Sequence, residues 1–296
     1  MWPHSAPAFV MGRESALQHV AARYPVEPTV LVCAVEPSQR ARLTDALRAR
    51  ANIVSVDLFS QLMRGLRGTV DHVDAVVLGV RDASGADAAA TVREIADERP
   101  RIAMVAYCQA GVQYSSDIRA LAAAGVHQFV FAGIDDHGVT FRAVLAAAQR
   151  HCAAEFIARR ITPLLPSALH SVAVATLARP DIITSVPALA RVLGVHRKTL
   201  FNRCARAGLM SPAELMTWLR LAMVAYLLDN TGCTVETIAL ELSFASDTAL
   251  RNTIKRYTGR RATEIRQRGA LSCVVDGFRA RLRGDAARPQ ATLHLV

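Results

Sequence analysis

Lysine is almost missing from this chain: of 35 basic residues, 33 are arginine and two are lysine. Beside abundant alanine, that skew reads as the codon bias of a GC-rich genome, so the net charge of +10 says little by itself about partners. The six cysteines (Cys33, Cys108, Cys152, Cys204, Cys233 and Cys273) are scattered, with no C-x-x-C pair. That argues against a zinc site or a disulfide framework and fits a reducing cytosol. No run of 18 apolar residues occurs, so nothing is long enough to span a membrane. The opening residues MWPHSAPAFVMG have neither a cationic start nor a long apolar stretch, so no signal peptide is expected, and Met11 stands as an alternative start to Met1. Nucleotide loops are missing too: there is no G-x-G-x-x-G after the first apolar run and no G-x-x-x-x-G-K-[ST] anywhere. The tetrad DDHG at 135–138 sets His137 beside two carboxylates, but on an expected surface loop with no nucleophile at a defined spacing. No catalytic residue, cofactor or metal is therefore expected.

What is present divides into two halves. With 296 residues the chain can fill two cores, and its 52% hydrophobic and 20% charged content is that of a globular protein. Residues 1–150 carry 15 basic and 15 acidic groups, whereas residues 181–270 carry 13 basic against 7 acidic. The whole surplus of positive charge thus lies in the second half, which points that half at a polyanion.

Between Thr29 and Arg150, short runs rich in Val and Ile alternate with helix-like segments. The runs are TVLVCAV (29–35), NIVSV (52–56), DAVVLGV (74–80), RIAMVAY (101–107) and HQFVF (127–131). They lack strict alternation, as strands buried on both faces of a parallel sheet do. Helices are expected near 37–50, 58–67, 86–99, 115–124 and 138–150. Five β-α repeats predict a flavodoxin-like, doubly wound domain over residues 28–150.

From residue 151 no strand pattern appears. Residues 151–165 are expected to form a linker or to continue the last helix of the sandwich, with a helix near 152–161. Residues 166–270 are expected to form an all-α domain, with helices near 164–178, 186–193, 197–207, 212–229, 234–242, 246–257 and 262–268, punctuated by proline and glycine. The stretch 271–296 shows no clear periodicity and is expected to be mostly disordered.

The second half contains an internal echo. ALARVLGVHRKTLFNRCARAGL (188–209) aligns with TIALELSFASDTALRNTIKRYTG (237–259), so that Ala190 matches Ala239 and Leu200 matches Leu250. Each copy reads as a short helix, a tight turn and a longer helix, which is helix-turn-helix grammar. In the second copy Leu250, Ile254 and Tyr257 form one buried stripe, and Ser246 is a good N-cap. Asp247, Thr248, Arg251, Asn252 and Lys255 fall off that stripe. In the first copy Leu200 and Cys204 are the buried pair, and Arg197, Lys198, Phe201, Asn202 and Arg206 lie off it. Asn and Arg suit bidentate contacts to base edges, while Arg197, Arg206, Lys255 and Arg256 are placed to reach phosphates. The segment joining the copies, about 17 residues at 1.5 Å each, spans about 26 Å, a length suited to placing two reading helices on one face of a duplex.

Residues 164–268 resemble the AraC/XylS family of bacterial transcription regulators. The likeness rests on Arg220, Leu221, Ala225, Leu227 and Leu228 in the joining helix, and on Phe244, Leu250, Asn252, Ile254, Lys255, Arg256, Gly259 and Arg266 in and after the second copy. It implies base-facing roles for Lys198, Phe201 and Asn202 in the first copy and for Asp247, Thr248, Arg251 and Asn252 in the second. Phe201 is either core or a contact to a thymine methyl. One departure concerns the turn: the family's glycine before the phenylalanine is Ser243, where glycine would fit more easily.

The first half is similar to a response-regulator receiver that has lost its chemistry. Gly79 stands where the phosphoryl-accepting Asp belongs, Glu36 is a lone carboxylate after the first strand, Ala106-Tyr107-Cys108 ends the fourth, and Ala132 replaces the Lys after the fifth. Asp82 lies beyond the strand end. The expected protein is a cytoplasmic, nucleoid-associated, sequence-specific regulator that binds double-stranded DNA as a homodimer, with RNA polymerase as a further option and no membrane contact. Its first half is expected to be a phosphorylation-independent module for dimerisation, partner binding or sensing. The alternatives are an adaptor that does not bind DNA, or a sensor with effector at the carboxyl ends of the strands.

Overall fold

A computed structural model describes residues 28–48, 51–68, 73–230 and 232–284. They divide into two compact units at Cys152/Ala153. In the first, strands β1 (Thr29–Cys33), β2 (Asn52–Val56), β3 (Val73–Gly79), β4 (Ala103–Cys108) and β5 (Gln128–Phe131) pair in parallel in the order β2-β1-β3-β4-β5. That is the flavodoxin-like order. The connecting helices are α1 (Pro37–Leu47), α2 (Phe59–Gly68), α3 (Ala88–Glu98), α4 (Ser115–Ala124) and α5 (Gly138–Ile161). Helix α1 and the start of α5 cover one face, setting Leu43, Phe141 and Leu145 on Val32, Val77 and Val105. Helices α2, α3 and α4 cover the other, setting Leu62, Ile95 and Leu121 on Leu31, Val76 and Ala106. The central strands are buried on both sides, which is why their sequences do not alternate.

The second unit is all helical: α6 (His170–Ala178), α7 (Val186–Val192), α8 (Arg197–Arg206), α9 (Pro212–Asn230), α10 (Val235–Glu241), α11 (Asp247–Thr258), α12 (Ala262–Gln267) and α13 (Ala270–Arg283). Twelve of the nineteen residues of α9 are buried, so it is apolar on every side and can only be the central element. Ser185, Thr234 and Ser246 cap α7, α10 and α11 with their hydroxyl oxygens accepting from backbone N–H groups, so three helix starts are set by local sequence.

Of the two readings of residues 151–165, continuation of the last helix holds over 151–161, which are not a linker: α5 runs through them unbroken, and Phe156, Ile157 and Ile161 are buried in the second core. Two expectations need correction. The helix expected over 164–178 begins only at His170, because Leu165, just before Pro166, is held extended (φ −110°, ψ 146°). The stretch from 271 is not mostly disordered: residues 270–283 form α13, with Leu271, Val274, Val275 and Phe278 buried. Residues 285–296 lie outside the described residues, as do Met1 and Met11. Among the described residues no helix is long and apolar enough to cross a membrane.

Candidate nucleic-acid interface

Helices α7 and α8 form one helix-turn-helix, α10 and α11 the other. The two turns share one hydrogen-bond pattern. Gly194 donates to the Arg191 carbonyl (3.2 Å) and Val195 to that of Ala190 (2.9 Å); 49 residues on, Ser243 donates to Leu240 (3.2 Å) and Phe244 to Ala239 (2.8 Å). Both are Schellman closures, which require a left-handed residue. Gly194 takes it at φ +63° without penalty, and Ser243 takes it at φ +53° against the clash of its own Cβ. Ser243→Gly is therefore expected to raise the stability of the second unit by about 0.5–1 kcal/mol, read from the urea midpoint at unchanged slope. A lowered midpoint would mean that the exposed serine side chain stabilises the turn.

The reading helices present the faces their sequences predict. Leu200, Cys204, Leu250 and Ile254 are at most 2% exposed and anchor α8 and α11, while Tyr257 is half-buried. Lys198, Phe201, Asn202, Arg197 and Arg206 are exposed on α8, and Thr248, Arg251, Asn252, Lys255 and Arg256 on α11. Phe201, 47% exposed, is not core. Asp247 is half-buried and already engaged, accepting from Arg251 Nε (3.3 Å) and from the Thr248 hydroxyl (3.3 Å). Arg251 and Thr248, hydrogen-bonded to it, depress its carboxyl pKa. Its geometry is that of a group that orients Arg251. His196 had no local signal as a cap. It occupies the slot of Ser246 fifty residues earlier, and its Nδ1 accepts from the Lys198 N–H (3.2 Å). The register of the repeat was the available clue.

Two arginines, half-buried Arg220 and exposed Arg266, hold this arrangement. Arg220 on α9 donates to the carbonyls of Pro180 (3.1 Å) and Leu242 (2.5 Å), and its guanidinium lies 4.2 Å from the Phe244 ring centroid. Arg266 on α12 donates to the carbonyls of Leu228 (3.1 Å) and Cys233. Each side chain thus ties together backbone segments distant in sequence.

At the carboxyl edge of the first unit's sheet, Gly79 is buried against Ala34. A Cβ built on Gly79 would lie 1.9 Å from the Ala34 carbonyl oxygen. Ala34 itself sits at φ +58°, held by its N–H to the Val56 carbonyl (3.1 Å). Asp82 is fully engaged: it accepts from the N–H groups of Phe59, Ser84 and Ala86 (2.9–3.1 Å) and from the Ser84 hydroxyl (2.5 Å). Partial burial alone would raise its pKa; these donors outweigh it and lower it. The carboxylate organises a turn and the start of α2.

The DDHG loop is only partly a surface loop. Asp136 is wholly buried and accepts from the Tyr107 hydroxyl (2.5 Å) and Arg42 Nε (2.8 Å). Burial pushes its carboxyl up, but Tyr107, the Gly133 N–H and Arg42 prevail and bring it down to about 2. This triad welds β4, α1 and the β5–α5 loop together. Its members are 94 residues apart at the widest, too far for local sequence to reveal.

Residues 189–268 match the family described as a helix-turn-helix domain, of the AraC type. It is a DNA-binding family rather than an enzyme class. No curated protein matches the chain. Among solved structures the chain is similar to full-length FixJ from B. japonicum (16% identity, 75% of this chain and 100% of that one, TM-score 0.37). It is also similar to the response regulator RcsB from Salmonella typhimurium (12% identity, 66% and 98%, TM-score 0.35). A third is the N-terminal signal receiver domain of a two-component response regulator from Bacteroides fragilis (15% identity, 41% and 96%, TM-score 0.35). These likenesses are too distant to carry an argument; the receiver-like character of the first unit rests on its strand order.

Proposed function

We propose that this chain is a sequence-specific, double-stranded-DNA-binding transcription regulator, working in the cytoplasm and read out through α8 and α11. One observation carries the reading. Two helices, repeated in register, each bury an apolar pair and expose a face on which Asn202, or Arg251 and Asn252, stand among arginine and lysine. Such faces suit bidentate recognition of adenine and guanine, with Arg197, Arg206, Lys255 and Arg256 on phosphates. The 19 residues of α9 give a spacer of about 28 Å between the two helix-turn-helix copies. The first unit is a phosphorylation-independent module that pairs copies of the chain, for which the α4–β5–α5 side, with Val139 74% exposed, is the favoured face.

Selection of bound sites from random duplex DNA tests this directly. The full chain is expected to enrich one motif with two half-sites, and its affinity is expected to fall steeply with salt as phosphate contacts release counterions. Asn202→Ala and Arg251→Ala should each cost about 1–3 kcal/mol on that motif and relax the preference at different bases. If all duplexes bind alike at every salt concentration, the regulator reading fails and a protein adaptor takes its place.

A further inference from the structure

Helix α13 lies beyond the residues that match the helix-turn-helix family, yet it is fastened to the second unit at three points. At its start, Gly269 offers no side-chain cap. Asp229, at the far end of α9, supplies one instead: its two carboxylate oxygens accept from the N–H groups of Ala270 (2.6 Å) and Leu271 (2.9 Å). An anion there also faces the positive end of the helix dipole. Near its end, Arg281 donates from Nε and Nη2 to the two carboxylate oxygens of Glu214 (2.6 and 3.2 Å), with both side chains under 20% exposed. A bidentate pair of this kind fixes direction as well as distance.

Between these clasps lies an aromatic joint. Trp218 of α9 meets the Tyr257 ring edge-on (centroids 5.0 Å, 85°) and the Phe278 ring at 5.8 Å. Gly277 makes room for it, since a Cβ there would come 3.1 Å from the indole. Tyr257, half-buried, continues the stripe of α11 after the buried Leu250 and Ile254. The last turn of the second reading helix therefore leans on an indole that α13 holds from behind. No equivalent exists among the described residues for α8, whose stripe ends at Cys204.

We propose that α13 is a built-in brace for the second reading helix, and that Asp229, Glu214, Arg281, Gly277 and Phe278 are positioning residues for Thr248, Arg251 and Asn252. The inference rests on the DNA-reading assignment for its consequence, though not for its mechanism. It predicts an asymmetry: the half-site read by α11 depends on α13, and the half-site read by α8 does not.

The test uses the full chain and three variants: Glu214→Arg, Arg281→Glu and the double exchange. Each single reversal sets like charges together. It should speed amide exchange across 247–258 about tenfold or more while leaving 197–206 unchanged, and the double exchange should restore the native rate. On a selected duplex, the single variants should lose hydroxyl-radical protection over one half-site only, and the double exchange should regain it. Native exchange in the single variants, or equal loosening of α8 and α11, would overturn the brace. If the native chain selects no duplex, the DNA reading falls, while the exchange rates still decide the brace.

Discussion

Gly79→Asp is expected to destabilise the first unit by about 3 kcal/mol or more, not to create a phosphoryl acceptor. The position is the one at which a receiver would carry its aspartate, so the substitution looks like a simple restoration. The structure forbids it. The Ala34 carbonyl oxygen stands 1.9 Å from where the new Cβ must go, and its carbon 2.8 Å. Ala34 cannot retreat cheaply. Its N–H is bonded to Val56, and the next carbonyl, of Val35, accepts from Arg40, which is itself paired with Asp57 at 2.6 Å. A carboxylate forced into this space would also be desolvated without a donor. Denaturation of the full chain should show the loss, and a small-molecule phosphoryl donor with Mg²⁺ should leave both native and variant chains unlabelled. A variant of native stability that takes up one phosphoryl group would refute the reading of a closed site. Gly79→Ala separates the two costs, since it keeps the clash and omits the charge.

The second large effect is expected at Arg220. Arg220→Ala should cost the second unit about 3 kcal/mol, because it removes two charge-assisted hydrogen bonds and leaves the Pro180 and Leu242 carbonyls short of a donor. The contact over Phe244 goes with them. Desolvation lowers the pKa of this arginine, as it does for a cation held away from water by the helices around it. Arg220→Lys should recover at most about half of the loss, since a single ammonium cannot reach both carbonyls and also lie flat on a ring. The check is the denaturant midpoint, followed through the buried Trp218. A lysine variant as stable as the native chain would show that charge alone suffices. Because Leu242 and Phe244 belong to the turn before α11, the alanine variant should also bind its selected duplex more weakly.

The parts of this molecule that sequence reveals are those fixed by neighbours in sequence. The strands of the first unit show as Val- and Ile-rich runs because both faces of the sheet are covered. The two reading units show because Leu200 and Cys204, then Leu250 and Ile254, repeat at helical spacing, and because Ser243 falls where its copy has Gly194. What stayed hidden depends on distant partners. Helix α13 carries no local cap, since its N-terminal donors are satisfied by Asp229 some 41 residues earlier, and Gly277 interrupts its interior for the sake of Trp218. Asp136 looks like one of two loop carboxylates until β4 and α1 bring Tyr107 and Arg42 to it. The break at Leu165 follows from Pro166, and the run of α5 past residue 150 follows from a second core that its last turns help to fill.

The two clasps on α13 are nested rings. The bond from Asp229 to Ala270 closes a loop that contains α10, α11 and α12, and the Glu214–Arg281 pair closes a wider one around it. The second reading unit is enclosed by both, and the first lies outside both. Closing such loops spends chain entropy before any contact repays it, so the enclosed half should form late and as one block, whereas α7 and α8 depend on near neighbours. The two halves of one repeat, alike in fold, would then differ in cooperativity: one tied to a distant helix, the other free to flicker open by itself.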